Sequence, residues 1–504
     1  MMQKPQVHLS SLIAVVCLVA CGSRIVPAAE KQLTDHRPNI LIVLCDDLGY
    51  GDLGCFGHPE VQTPNIDRFA AESMKLNHCY SAAPNCSPAR TGLMTGRTPY
   101  RVGIHNWIPF MSPMHVSESE ITVATLLRDA GYATCLSGKW HLNGNFNLPG
   151  QPQPDDHGFQ HWFATQNNAL PNHRNPYNFV RNGIPVGPQQ GYAAQLVSQE
   201  AMTFLDQHDP QQPFFLFVSF HEPHEPIATA PEFTSLYDSH VESLKAHHGN
   251  ISQMDHAFGL LMRKLQDEGF AKNTMVVFTS DNGPARTSIH PHGSTGGLRE
   301  KKGHLFEGGI RVPGIVRWPG RIQAGTESDI PVTALDVLPT CCELANVPMP
   351  RDRTLDGVSL VSMFSGKPLK RTRPLYWQFH YAQTTPDVAI RSGRWKLLAE
   401  LDLPHFGPGA DLTEEMMTAL KAAEVSAWEL YDVAADPAET LDVSAEYPEV
   451  LQRLQRQLRS MHQEVTQESP VWPSWKWPRY ESERIEWPPY RGKRRTPAPV
   501  HANR

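Results

Sequence analysis

Three apolar runs in this chain refuse to alternate with polar residues, and each breaks off at a polar pair. Asn39-Ile40-Leu41-Ile42-Val43-Leu44 leads to Asp46 and Asp47, the run from Pro213 to Phe220 to His221 and His224, and the run from Asn273 to Ser280 to Asp281 and Asn282. A strand that is apolar on both faces must be covered on both faces, which is the character of a buried parallel strand. Between the runs lie stretches with apolar residues three and four apart, from Ile121 to Ala130 and from Ile251 to Gly269, which read as helices. The pattern predicts an α/β fold built on a large, mixed, mostly parallel sheet sandwiched by helices. Ligands of such sheets bind beyond the carboxyl ends of the strands, so the three polar pairs are expected to share one crevice.

At 504 residues the chain exceeds what one core usually supports. The sequence divides into a leader (1–29), a catalytic domain (30–372), a C-terminal α+β subdomain (373–465) and a tail rich in Trp, Pro and basic residues (466–504). The subdomain is expected to be a small antiparallel sheet from Pro374–Phe379, Asp387–Arg391, Arg394–Leu398 and Trp428–Asp432, packed with a helix from Pro448 to Glu464. Two irregular stretches, 143–190 and 284–303, are rich in Gly, Pro, Asn, Gln and His and read as long functional loops. The tail holds Trp472, Trp475, Trp477 and Trp487. It is either an aromatic and basic strip for a glycan or a segment pinned to the catalytic domain by its tryptophans.

Lys4 followed by the apolar segment Leu9–Ala20 is too short to span a membrane and reads as an export signal, so the protein is expected outside the cytoplasm, periplasmic or extracellular. Leu18-Val19-Ala20-Cys21 offers a lipobox that would lipidate Cys21, the one route to a membrane; Val26-Pro27-Ala28-Ala29 offers ordinary cleavage. The formal net charge of -7 argues against nucleic acid as a partner. Beyond the leader seven cysteines remain, an odd number, and chemical conversion of one would leave six.

The residue that invites conversion is Cys86, in Cys86-Ser87-Pro88-Ala89-Arg90 with Leu93, Thr95, Gly96 and Arg97 following. A Ser-Pro that can start a helix places the thiol where backbone N–H groups and the helix dipole favour an anion. Asp46, Asp47, Asp281 and Asn282 offer the oxygen ligands of a hard divalent cation, and calcium suits such a set. Arg90, Lys139 and Lys302 are the fixed cations available to neutralise an oxyanion. In Gly138-Lys139-Trp140-His141, an extended segment would point Lys139 and His141 the same way. His141 and His224 are best placed for proton transfer, with His221 an alternative to His224.

The signature at Cys86, together with Asp46-Asp47-Leu48-Gly49-Tyr50-Gly51-Asp52, Thr63-Pro64-Asn65-Ile66-Asp67, Gly138-Lys139-Trp140-His141, Ser280-Asp281-Asn282-Gly283 and Glu307-Gly308-Gly309-Ile310-Arg311-Val312-Pro313, resembles the type I sulfatases of the alkaline phosphatase superfamily. The order and loops look most similar to the arylsulfatase A and N-acetylgalactosamine-6-sulfatase branch. The resemblance implies that a maturation enzyme converts Cys86 to formylglycine, whose hydrate attacks the sulfur of an aryl sulfate or sulfated carbohydrate. It implies one calcium ion held by Asp46, Asp47, Asp281, Asn282 and the modified Cys86. Arg90 would secure the hydrate, Lys139, Lys302 and His224 would bind sulfate and help protonate the leaving oxygen, and His141 would take the proton that restores the aldehyde. Ala89 departs from the serine frequent in the family. A formylglycine-dependent phosphodiester or phosphonate hydrolase, or a silent glycan-binding protein with unmodified Cys86, are the alternatives.

Overall fold

The computed structural model describes residue 1 and residues 37–381, 384–404 and 411–477. The leader, with Cys21 and both cleavage sites, lies outside the described residues, as do Trp487 and the basic end of the tail.

Sixteen strands and, among the helices, seven that frame the two sheets organise the described chain. The strands are β1 (Asn39–Asp46), β2 (Met74–Leu76), β3 (Cys79–Tyr80), β4 (Ala133–Lys139), β5 (His161–Thr165), β6 (Val180–Arg181), β7 (Ile184–Pro185), β8 (Phe214–Pro223), β9 (Thr274–Ser280), β10 (Gly314–Arg317), β11 (Thr326–Ser328), β12 (Val332–Thr333), β13 (Leu375–Gln378), β14 (Val388–Ser392), β15 (Trp395–Leu401) and β16 (Val425–Asp432). The helices are α1 (Pro64–Ala71), α2 (Cys86–Thr95), α3 (Val123–Asp129), α4 (Ala193–Gln207), α5 (Glu242–Asp267), α6 (Val337–Ala345) and α7 (Pro448–Glu468).

Ten strands form one sheet in the order β11-β2-β10-β9-β1-β8-β4-β5-β6-β7, and the five from β9 to β5 run parallel. The three apolar runs are its centre, and every residue of β1 and β8 is buried. Alternate side chains feed two cores. Ile40, Ile42, Leu44, Phe215 and Phe217 pack with α2, α3 and α6 on one face, while Leu41, Val43, Leu216 and Val218 pack with α4 and α5 on the other. Each such side chain contributes about 1.5–3 kcal/mol through burial, which explains why these strands are almost wholly apolar until their ends.

β13–β16 form a separate four-stranded antiparallel sheet. One of its faces packs on α7 through Val388, Ile390, Leu397, Leu454, Leu458 and Val465, and the other joins the large core through Leu375, Trp377 and Leu398. Of the two irregular stretches, 284–303 has no helix or strand, but 143–190 contains β5, β6 and β7. His161-Trp162-Phe163-Ala164-Thr165 is too short and mixed to read as a core strand, and its pairing with β4 decides its conformation. The described part of the tail is pinned by its tryptophans: Trp472 and Trp475 pack against the large core, and Trp475 exchanges backbone hydrogen bonds with Leu412.

All seven described cysteines are free, so the odd count does not mark an otherwise disulfide-paired set. Cys341 and Cys342 are core-facing residues of α6. Among the described residues no helix is long and apolar enough to cross a membrane.

Candidate active site

Strand register assembles the site. Cys45 of β1 lies opposite Ser280 of β9 and Asp46 opposite Pro223 of β8, so Asp46 and Asp47 emerge beside Asp281, Asn282 and His224. Gly138 of β4 lies opposite Ser219 of β8, which brings Lys139 to the same edge. At Gly138, φ is +113° and a Cβ would stand 1.8 Å from the Ser219 carbonyl oxygen, so only glycine lets these strands approach.

Asp47 and His141 both have positive φ, 63° and 60°, a rare conformation for residues with side chains that clusters at functional sites. The extended placement expected for Lys139 and His141 is therefore wrong. β4 ends at Lys139, and a left-handed turn redirects His141.

Cys86 is the first residue of α2. Asn85 caps the helix, its side chain accepting from the Cys86 N–H at 2.8 Å, and Pro88 sits in the first turn, where its missing N–H costs nothing. The thiol lies 3.5 Å from Asp46 Oδ1 and 3.3 Å from Lys302 Nζ. Burial pushes it up to about 12 despite Lys139 and Lys302. At neutral pH it is a protonated thiol and a poor nucleophile.

Fixed cations surround it. Arg90 is buried and forked onto Asp281 Oδ2 (2.9 and 2.8 Å), while its Nη1 donates to Ser219 Oγ at 2.6 Å and to the Lys139 carbonyl at 3.1 Å. Lys139 Nζ meets Asp46 Oδ2 at 2.6 Å, and Lys302 Nζ meets Asp47 Oδ1 at 2.6 Å. Burial works against the Asp46 charge, but Lys139, His224, Arg90 and Lys302 outweigh it and hold that carboxyl well below the usual range. Burial likewise opposes the Lys302 charge and is outweighed by Asp47, Cys86 and Asp46, which raise it.

The histidines separate. His141 Nε2 donates to the Ile108 carbonyl at 3.1 Å, which leaves Nδ1, buried and without a partner, as the lone-pair nitrogen. Burial, then Lys139 and Arg90, hold His141 well below the usual histidine range. His224 donates from Nδ1 to the Glu225 carbonyl and turns Nε2 to Asp47 Oδ2 at 3.6 Å. His221 instead spends Nε2 on Thr165 Oγ1 at 2.8 Å, so of the two alternatives only His224 faces the carboxylates.

Asp46, Asp47, Cys86 and His224 can bring one ligand atom each within 4.8 Å of one another. Asp47 Oδ2 and Asn282 Oδ1 are buried without hydrogen-bond partners, while Asn282 Nδ2 lies 2.6 Å from Asp47 Oδ1. A half-turn of the Asn282 amide would present its oxygen there instead. Asp281 is pushed up by burial and by the Asp46 charge, an effect that an adjacent divalent cation reverses. Unpartnered oxygens and crowded carboxylates thus fit a hard cation such as calcium.

Ten of the eleven residues singled out in the sequence converge at this edge of the sheet, and His221 turns away from it. Three contributors went unnoticed. Ser219, a lone hydroxyl in an apolar run, and Asn85, a good N-cap before the signature, each left a signal; the Ile108 carbonyl left none.

Residues 38–347 match the family model described as Sulfatase, and residues 297–406 match that described as N-sulphoglucosamine sulphohydrolase, C-terminal. The chain is 37% identical over 390 residues to N-acetylgalactosamine-6-sulfatase of Rattus norvegicus, covering 71% of each. It is 32% identical over 453 residues to arylsulfatase A of Homo sapiens, covering 83% of this chain and 86% of that one. A solved structure described as Ps i-CgsB in complex with k-i-k-neocarrahexaose matches with TM-score 0.75 and 27% identity, over 89% of this chain and 96% of that one.

Proposed function

Since the chain belongs to the sulfatase family and is a sulfatase, we propose that it hydrolyses sulfate monoesters of a sulfated carbohydrate, with Cys86 converted to formylglycine and one calcium ion held by Asp46, Asp47, Asp281, Asn282 and the converted residue. The observation that carries this reading is the setting of Cys86: a helix N-terminus ringed by Arg90, Lys139 and Lys302, where a thiol stays protonated but an anionic oxygen is welcomed. Formylglycine supplies a geminal diol, one hydroxyl to attack sulfur and one to release sulfate, and calcium supplies a Lewis acid against the sulfate oxygens.

The chain's own residues do the rest. Arg90, immobilised by Asp281, Ser219 and the Lys139 carbonyl, holds the nucleophile without reorganising. Lys139 and Lys302 present ammonium donors to the sulfate oxygens. His141 is the base: its proton is fixed on Nε2 by Ile108, so Nδ1 is free to accept one. His224, its Nδ1 proton committed to the Glu225 carbonyl, would protonate the departing oxygen from Nε2 as an imidazolium, a form that burial disfavours and the neighbouring Asp47 and Asp46 charges favour.

The names of the relatives support a carbohydrate substrate, and the leader supports maturation and action outside the cytoplasm, with or without a lipid at Cys21. Two measurements test the reading. A mass spectrum of the Cys86 peptide from native cells should show the aldehyde, and an unmodified thiol in fully active enzyme overturns the nucleophile. Chelation should abolish sulfate release and calcium should restore it; full activity of a metal-free preparation overturns the metal.

A further inference from the structure

The residues on either side of Trp107 are fastened to the catalytic helix and its base. Asn106 Oδ1 accepts from Nδ2 of Asn85, the cap of α2, at 2.9 Å. The Ile108 N–H donates to Ser87 Oγ at 3.0 Å, and its carbonyl accepts from His141 at 3.1 Å. Asn106 and Ile108 are buried, whereas Trp107 between them is half-buried. Trp107 thus lies in a segment fastened to the N-terminus of α2 and to His141, with both of its neighbours turned in.

The C-terminal segment supplies a second ring. Trp477 lies 5.0 Å from Trp107 with an interplanar angle of 83°. Its position is set by anchors in the residues before it and by its own backbone: Trp472 Nε1 donates to the Gly103 carbonyl at 2.6 Å, Trp475 pairs with Leu412, and the Trp477 N–H donates to Asp411 Oδ1 at 2.7 Å. Phe110 and Met111, three and four residues past Trp107, are 43% and 51% exposed.

An exposed apolar rim beside a crevice lined with charge matches a ligand that is anionic at one end and has apolar faces at the other. A sulfated sugar is such a ligand: the sulfate enters the crevice, and the C–H face of the pyranose lies against an aromatic ring. Resting on the function proposed above, we propose that Trp107 and Trp477 form a sugar-binding wall at the mouth of the active site, which holds a ring of a sulfated oligosaccharide while its sulfate reaches residue 86.

The test uses the full chain carrying Cys86→Ala and two probes, a neocarrahexaose and a chondroitin tetrasaccharide bearing 6-sulfated N-acetylgalactosamine, titrated by calorimetry. At least one should bind, and adding Trp107→Ala or Trp477→Ala should weaken its Kd about tenfold or more, as loss of a central interface tryptophan does. Trp107→Phe and Trp477→Phe should restore most of the affinity. If an alanine variant melts early, Trp107→Leu and Trp477→Leu, which keep apolar bulk without a ring, carry the same expectation. Neither probe binding, or folded ring-less variants binding as tightly as the parent, overturns the wall. Sulfate release is read separately on the enzyme with Cys86 intact. Ring-dependent binding without release from either probe overturns the proposed function and leaves the wall. Release with a KM indifferent to both tryptophans overturns the wall and leaves the function.

Discussion

Two buried clusters of charge face each other in kind. One is the crevice around Cys86; the other joins the large sheet to the small one. At the junction, Lys396 of β15 sits between Glu307 (3.0 Å) and Glu439 (2.8 Å), and all three side chains are fully buried. The second oxygen of Glu307 accepts from Tyr80 at 2.6 Å, and that of Glu439 from the Glu307 N–H at 2.6 Å. Each carboxylate oxygen meets a cation or a donor, so the cluster is closed. In the crevice, Asp47 Oδ2, Asn282 Oδ1 and His141 Nδ1 are buried without hydrogen-bond partners. Burial of unpaired polar atoms costs stability, and the sulfatase crevice bears more of that cost than the junction, where Glu439 Oε1 lacks a hydrogen bond but has the Lys396 ammonium 2.8 Å away. Charge at the junction positions the chain, whereas charge in the crevice waits for a ligand.

Substitutions can break this contrast. The largest effect is expected from Cys86→Ala, which should cut sulfate release by more than about 10³-fold, the scale of removing a nucleophile, while the melting temperature moves only slightly. Retained turnover of an aryl sulfate would remove Cys86 from the chemistry. Next is Lys396→Met, which leaves two buried glutamates without their cation and should cost about 3–5 kcal/mol in denaturant unfolding. Its kcat, measured well below the unfolding transition, should be that of the parent; a large fall in kcat with unchanged stability would make the junction part of the catalytic apparatus.

The smallest effect concerns His78, whose Nδ1 lies 3.0 Å from Arg391. Burial, then Arg391 and Arg311, lower it to about 4, against the pull of Glu307 and Asp329. Its folded value is depressed, so its contribution to stability is complete above about pH 6.5 and is lost as the pH falls towards 4. His78→Gln should remove that part of the acid-side decline, a difference of roughly 2–4 °C in melting temperature near pH 4.5, and none at pH 8. Equal acid sensitivity in the two proteins would place the titration elsewhere.

Much of the crevice was legible because its residues sit where apolar runs stop. Asp46, Asp47, Asp281 and Asn282 are strand ends, and strand ends of a parallel sheet meet. His224 was harder to separate from His221, since both follow the same strand; only the hydrogen bond to Thr165, a residue of β5, turns His221 away. The second sheet was visible in β13–β16 and α7, whose apolar patterns are local. The junction was not, because Lys396, Glu307 and Glu439 are far apart in the chain and each reads as an ordinary surface charge.

The sequence by itself determined the layered α/β core, the location of the site at the carboxyl edge, and the cysteine that we propose is converted. These follow from apolar periodicity and from motifs that are continuous in the chain. The tertiary structure alone decided which histidine faces the carboxylates, that His141 leaves the strand through a left-handed turn, that the cysteines stay unpaired, and that Trp477 comes to rest against Trp107. Each of these depends on contacts between segments distant in sequence, whose geometry is set only when the sheets and the tail pack together.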